Sequence, residues 1–166
     1  MMSRLFRPAA LSLSLMLLGV AAAAPAHAQS PAAQTQSTRD LAQEERNRQI
    51  VIDFYRGVFE RHDVAKSAEV LVDGYIQHNP GVPDGKAPFV NYFTGFFKEN
   101  PKARSTIVRS AADGNLVYLH VHSTNGEADR GRAIVDIFRV ENGRIVEHWD
   151  VIQAVPEKAA NANTMF

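Results

Sequence analysis

The sequence predicts an α+β domain, with three helices followed by a four-strand antiparallel meander and the helices on one face of the sheet. Apolar residues recur at the helical period of about 3.6 as far as Glu99, then alternate from Arg104 to Gln153. Tight turn sequences, Asp113-Gly114-Asn115 and Glu141-Asn142-Gly143, punctuate the second half. The chain has 166 residues and no cysteine, a length that suits one packed core without disulfide or metal staples.

The first segment reads as a targeting signal. Arg4 and Arg7 precede an apolar run over 9–24, and Ala26-His27-Ala28 supplies small-x-small cleavage chemistry. Residues 1–28 are therefore expected to be a signal peptide. The mature chain would reside in the bacterial periplasm or outside the cell, with no stable membrane insertion after cleavage. Residues 29–38 are polar, lack large apolar groups and read as a disordered leader. The folded domain is expected over 39–155, with a polar, frayed tail over 156–166.

In the domain, Thr38 suits a helix N-cap with Asp40 in the first turn. Leu41, Val51, Ile52, Phe54, Tyr55, Val58 and Phe59 form one apolar face, giving a helix that His62-Asp63 ends. A short helix is expected over 64–72, closed by Asp73-Gly74. Residues 75–79 read as a short extended piece, stopped by Pro80-Gly81, and Pro83-Asp84-Gly85 is turn chemistry. Pro88 suits the first turn of a third helix to Glu99, whose Phe89, Phe93, Phe96 and Phe97 read as core. Strands follow over 104–112, 116–124, 132–140 and 144–153, with a loose hairpin loop over 125–131.

Both faces of the 132–140 strand are substantially apolar, so both call for a cover. Helices supply one, and a second copy of the chain is the natural other, predicting a homodimer. Asp136 stands between Ile134 and Phe138 on one face, an ionisable group where strands seldom hold one. It reads either as a paired structural acid or as a functional one. His120 and His122 share one face of their strand, and His148 and Asp150 share one face of the last. The His-x-His spacing with a carboxylate and a third imidazole, His78 or His148, is also a possible metal set. Charge argues against a nucleic-acid partner, since 18 Lys plus Arg balance 18 Asp plus Glu. No Gly-x-Gly-x-x-Gly, P-loop or Gly-x-Ser-x-Gly motif is present.

The segments Tyr75-Ile76-Gln77-His78-Asn79-Pro80, Val135-Asp136-Ile137-Phe138-Arg139 and Glu147-His148-Trp149-Asp150 resemble the nuclear transport factor 2-like superfamily. Within it the chain is similar to the SnoaL-like polyketide cyclases, over residues 40 to 153. The resemblance implies a cone: a curved sheet wrapped against three helices, enclosing a pocket and commonly dimerising through its outer face. It implies Asp136 as acid/base of an intramolecular aldol condensation, with His122 nearby as its catalytic partner. By likeness to ketosteroid isomerases, Tyr55 becomes an oxyanion donor, while Asn79 stands where those enzymes keep their general base. His120, Tyr55, Asn79, His148 and Asp150 are accordingly expected to bind substrate. The reading is a cofactor-independent enzyme acting on a small hydrophobic or carbonyl-containing molecule by aldol cyclisation or isomerisation. The alternatives are a periplasmic small-molecule binding or accessory domain without catalysis, and a His/Asp metal site.

Overall fold

The computed structural model describes residues 39–166. The expected signal peptide and leader lie outside the described residues.

Helix α1 (Leu41–Phe59) begins at Asp40, whose carboxylate accepts from the Gln43 N–H at 2.9 Å, so Asp40 and not Thr38 is the N-cap. Val51, Ile52, Phe54, Tyr55 and Val58 bury its apolar face. The start of the helix is tied to the far side of the domain. Glu44 takes the Arg39 guanidinium and accepts from the Gly114 N–H at 3.1 Å, while Asn47 donates to the Gly114 carbonyl at 3.2 Å. Helix α2 is shorter than expected, Val64–Ser67, followed by a 3₁₀ turn over Ala68–Val70. Leu71 to Gly74, expected to close a helix, instead begin strand β1 (Leu71–Gln77). Helix α3 spans Lys86–Glu99.

The meander follows the alternating pattern, as β2 (Ala103–Asp113), β3 (Leu116–Asn125), β4 (Arg132–Glu141) and β5 (Arg144–Ala154). The full sheet is mixed and five-stranded, in the order β1-β5-β4-β3-β2, because β1 adds to β5 in parallel. It is curved and does not close on itself. Val108 has no partner between Ile107↔Val121 and Arg109↔His120, and Val146 none between Arg139↔Glu147 and Val140↔Ile145. Such bulges bend a sheet and change which residues face inward. The one at Val146 turns both Ile145 and His148 to the inside, so Ile145 and not Val146 joins the buried core.

The helices pack on the face carrying Val117, Leu119, Val121, Asp136, Phe138 and Val140. The outer face presents Tyr118, His120 and His122 on β3, Val135 and Ile137 on β4, and Trp149 and Val151 on β5. Val135 and Val151 are 42% and 71% exposed there. The C-terminal tail has no regular structure, yet it ends in contact: the Phe166 ring stacks on His122 with centroids 4.1 Å apart.

Candidate functional site

Between the helices and the inner sheet face lies a cavity of about 270 Å³. Ten aromatic residues contribute to its wall, including Phe54, Tyr55 and Phe59 of α1, Phe89, Phe93 and Phe96 of α3, and Phe138 of β4. The aromatic stripe of α3, expected to be core, thus divides its duty: Phe89 and Phe97 are buried, while Phe93 and Phe96 are half-buried at the cavity. Gln77, Asn79, Ser105, Asp136, His148 and Asp150 add polar groups to the lining.

Asp136 is positioned by alternation. It pairs across β3 with fully buried Leu119 and shares the inner face with Ile134 and Phe138, leaving it 5% exposed. Its Oδ1 lies 2.9 Å from His148 Nε2, which β5 brings in beside the Phe138 ring. Its Oδ2 is buried and meets no hydrogen-bond partner among the described residues. An ionised oxygen so placed is costly. Burial pushes the Asp136 carboxyl above the ordinary carboxylate range; the hydrogen bond and charge of His148, and then the nearby Tyr55 hydroxyl, oppose this, and Asp150 reinforces it. Burial, followed by the charge of Asp136, also pushes the Tyr55 and Tyr75 hydroxyls well up.

Gln77 completes the arrangement from the end of β1. Its Oε1 lies 2.7 Å from His148 Nδ1 and accepts from the Asn79 backbone N–H at 3.0 Å. Asp150 pairs with Asp136 across β4 and β5, and its Oδ2 accepts from Asn79 Nδ2 at 2.5 Å. The Asn79 side-chain oxygen is itself taken by the Gly81 N–H at 2.8 Å. The cavity therefore holds two neighbouring carboxyl groups in unlike settings. Asp136 is buried against an imidazole, while Asp150 is only half-buried and held by a neutral amide.

The expected site residues divide between two faces. Asp136, His148, Asp150, Asn79 and Tyr55 come together in the cavity. His122 and His120 do not. They alternate with Val117, Leu119 and Val121 and therefore point to the outer face, opposite Asp136. His122 Nε2 lies 2.9 Å from the Arg130 carbonyl, and His120 Nδ1 lies 2.7 Å from an Arg109 guanidinium nitrogen. The partnership expected of His122 belongs geometrically to His148. The metal set built on His120 and His122 fails for the same reason. Among the described residues, the acid and imidazole groups that do converge are Asp136, His148 and Asp150, with ligand atoms within 4.8 Å of one another. Sequence reasoning missed Gln77. The available signal was its place two residues from both Tyr75 and Asn79, on one face of an extended segment.

A profile of the SnoaL-like domain matches residues 51–148. Three solved structures share the fold. A candidate ketosteroid isomerase from Kribbella flavida aligns at 20% identity with a TM-score of 0.59, over 72% of this chain and 86% of that one. A candidate polyketide cyclase from Bacillus cereus aligns at 19% and 0.55, over 64% and 74%. A SnoaL-like protein of unknown function from Burkholderia thailandensis aligns at 15% and 0.55, over 67% and 97%. Identities this low carry the fold and not the reaction. No curated protein sequence matches.

Proposed function

The chain belongs to the SnoaL-like domain family, and from its cavity we propose that it is a small-molecule enzyme performing cofactor-independent acid/base chemistry at a carbonyl. The Asp136–His148 pair is the acid/base that serves the substrate oxygen, and Asp150 is the second carboxyl group beside it. The observation that carries this reading is the buried, half-satisfied Asp136 carboxyl, bonded to an imidazole in an aromatic cavity.

The chemistry balances without a cofactor. The Asp150 carboxylate takes a proton from the carbon next to the carbonyl. The pair gives a proton to the carbonyl oxygen as negative charge grows there, leaving an enol. In an isomerisation, Asp150 returns its proton to a different carbon and the pair recovers its own. In an aldol ring closure, the enol carbon bonds to a second carbonyl carbon of the same molecule. That oxygen takes the proton held by Asp150 and becomes an alcohol, and the enol hydroxyl returns its proton to the pair as the first carbonyl re-forms. The names of the Kribbella and Bacillus proteins fit these two outcomes. Tyr55 at the cavity wall adds a hydroxyl donor. The aromatic wall suits an apolar ring system, and it equally favours the second reading, a ligand carrier without turnover.

The segment over 1–28, as a secretion signal, would place this chemistry in the periplasm. The apolar outer face would pair two copies as a homodimer.

A panel of simple carbonyl compounds tests this in place of the natural substrate. Proton NMR in deuterium oxide follows α-proton exchange across β-dicarbonyl compounds and cyclic enones. The parent should accelerate exchange for some members. Asp136→Asn, still folded, should lose about 10²- to 10⁴-fold of that acceleration. Full exchange activity in Asp136→Asn would contradict the assignment. Saturable binding of panel members without any exchange would favour the carrier.

A further inference from the structure

The hydrogen bonds around His148 determine where its protons are. The Asn79 backbone N–H can only donate, so the Gln77 atom facing it at 3.0 Å is the amide oxygen. The same oxygen faces His148 Nδ1 at 2.7 Å, so Nδ1 must carry a hydrogen. His148 Nε2 faces Asp136 Oδ1 at 2.9 Å. With Nδ1 protonated, a neutral imidazole offers only a lone pair at Nε2, and a carboxylate offers only lone pairs as well. The contact is a hydrogen bond only if a proton lies in it. Either a carboxylic acid donates to a neutral imidazole, or an imidazolium donates to a carboxylate. Both forms hold the same number of protons and leave the pair neutral.

We propose that Gln77 is a positioning residue that fixes His148 in its Nδ1–H form and thereby obliges the Asp136–His148 contact to store one transferable proton. This deepens the acid/base reading and rests on it only for the use made of that proton.

The backbone holds Gln77 for this task. Its N–H donates to Asp84 Oδ1 at 2.7 Å, it pairs in parallel with His148, and the His78 N–H donates to the His148 carbonyl at 2.9 Å. The titratable groups facing the pair are Tyr55 from α1, Tyr75 from β1 and Asp150 from β5. The sides formed by β2, β3 and α3 contribute Ser105, Leu119 and Phe89, none of which titrates, and the charged groups elsewhere on the cavity lining are Arg104 of β2 and Arg132 of β4. Removing the stored proton sets two lone pairs against each other, so the pair behaves as a donor that must be refilled. Without Gln77 the ring is free to take the Nε2–H form. That form donates to an ionised Asp136 and stores nothing beyond it.

The test is long-range proton–nitrogen NMR of His148, which reports the protonation of each ring nitrogen without any substrate. The parent should show a protonated Nδ1 across neutral pH. Gln77→Leu should shift the ring toward the Nε2–H form and lower the pH at which the stored proton leaves by about one unit or more. Gln77→Glu keeps an acceptor at Nδ1, so it should keep Nδ1–H and hold the stored proton to equal or higher pH. An unprotonated Nδ1 in the parent overturns the proposal, as does an unchanged Nδ1–H form in folded Gln77→Leu. Should Gln77→Leu not fold, the parent spectrum and Gln77→Glu decide it. Loss of Nδ1–H in Gln77→Glu overturns the proposal too. These readouts are independent of carbonyl exchange, so failure of the enzyme reading and failure of the tautomer lock give different results.

Discussion

At the residue scale, the cavity sets His148 apart from the two histidines of β3. His148→Ala should cost carbonyl exchange about as much as Asp136→Asn, on the order of 10²-fold or more. His122→Ala should change it by less than about 2-fold, because that ring lies on the opposite face against Phe166. Parallel exchange assays on the two variants check this. Asp136 also makes a stability prediction. Its folded carboxyl holds its proton more tightly than an unfolded one, so the stability it contributes is complete below about pH 4 and is lost as pH rises through the elevated value. Asn at this position can donate to Nε2 as the acid does and has no charge to bury. The Tm of Asp136→Asn relative to the parent should therefore rise between pH 4 and pH 8, as followed by scanning fluorimetry. Asp136 was legible in the sequence because alternation with Ile134 and Phe138 places it inside. The misplacement of His122 was avoidable on the same principle, since Val117, Leu119 and Val121 claim the inner face of β3. The spacing of Gln77 from Tyr75 and Asn79 could have placed it on the cavity side, but its contact with His148 was not legible. It depends on a parallel pairing of Gln77 with His148, between segments 71 positions apart.

At the element scale, the meander was legible because every strand alternates and each tight hairpin carries its own turn chemistry. Strand β1 was only half legible. Its first residues, Leu71 to Gly74, follow a helical segment without a stop signal, and only the open edge of β5 draws them into the sheet. The bulge at Val146 left no mark in the sequence, because Ile145 and Val146 are equally apolar. Helix α1 offers two tests. The start of the helix hangs on Glu44, whose carboxyl is pulled below its usual range by the hydrogen bond from Arg39 and then by the Gly114 N–H. That contribution to stability is present above the unfolded carboxylate value and disappears as pH falls through the lower folded one. Glu44→Gln should lower the Tm at pH 7, by an amount that shrinks toward pH 3. Near the other end of the helix, a Cβ at Gly57 would lie 1.9 Å from Ser67 Oγ and 2.7 Å from Ser67 Cβ. Gly57→Ala gains about 1 kcal/mol of helix propensity but forces α1 and α2 apart at a cost of about 1–3 kcal/mol. Urea denaturation should show a net loss on the order of 1 kcal/mol.

At the scale of the whole molecule, the sheet presents a cavity on one face and exposed apolar side chains on the other. The inner face holds the cavity, and the outer face leaves Val135 and Val151 exposed beside Trp149. An apolar strip of this kind fits a second copy of the chain. Light scattering of the purified protein should report a dimer, and Val151→Asp should shift it toward monomer while leaving carbonyl exchange near the parent value. The apolar character of both faces of β4 was readable from its alternating residues, and the pocket on the inner side was implied by the family resemblance. The depth of the cavity was not readable, since it depends on how far α3 stands from the sheet. The claim on which the rest depends is that burial in an apolar cavity holds the Asp136 carboxyl above its ordinary range against the pull of its imidazole partner. Carbon-13 NMR titration of the Asp136 side-chain carboxyl measures this directly. Half-titration above the ordinary value of about 4 is predicted, and it should rise further when His148 is replaced. Half-titration at or below that ordinary value, unaffected by His148, would contradict it.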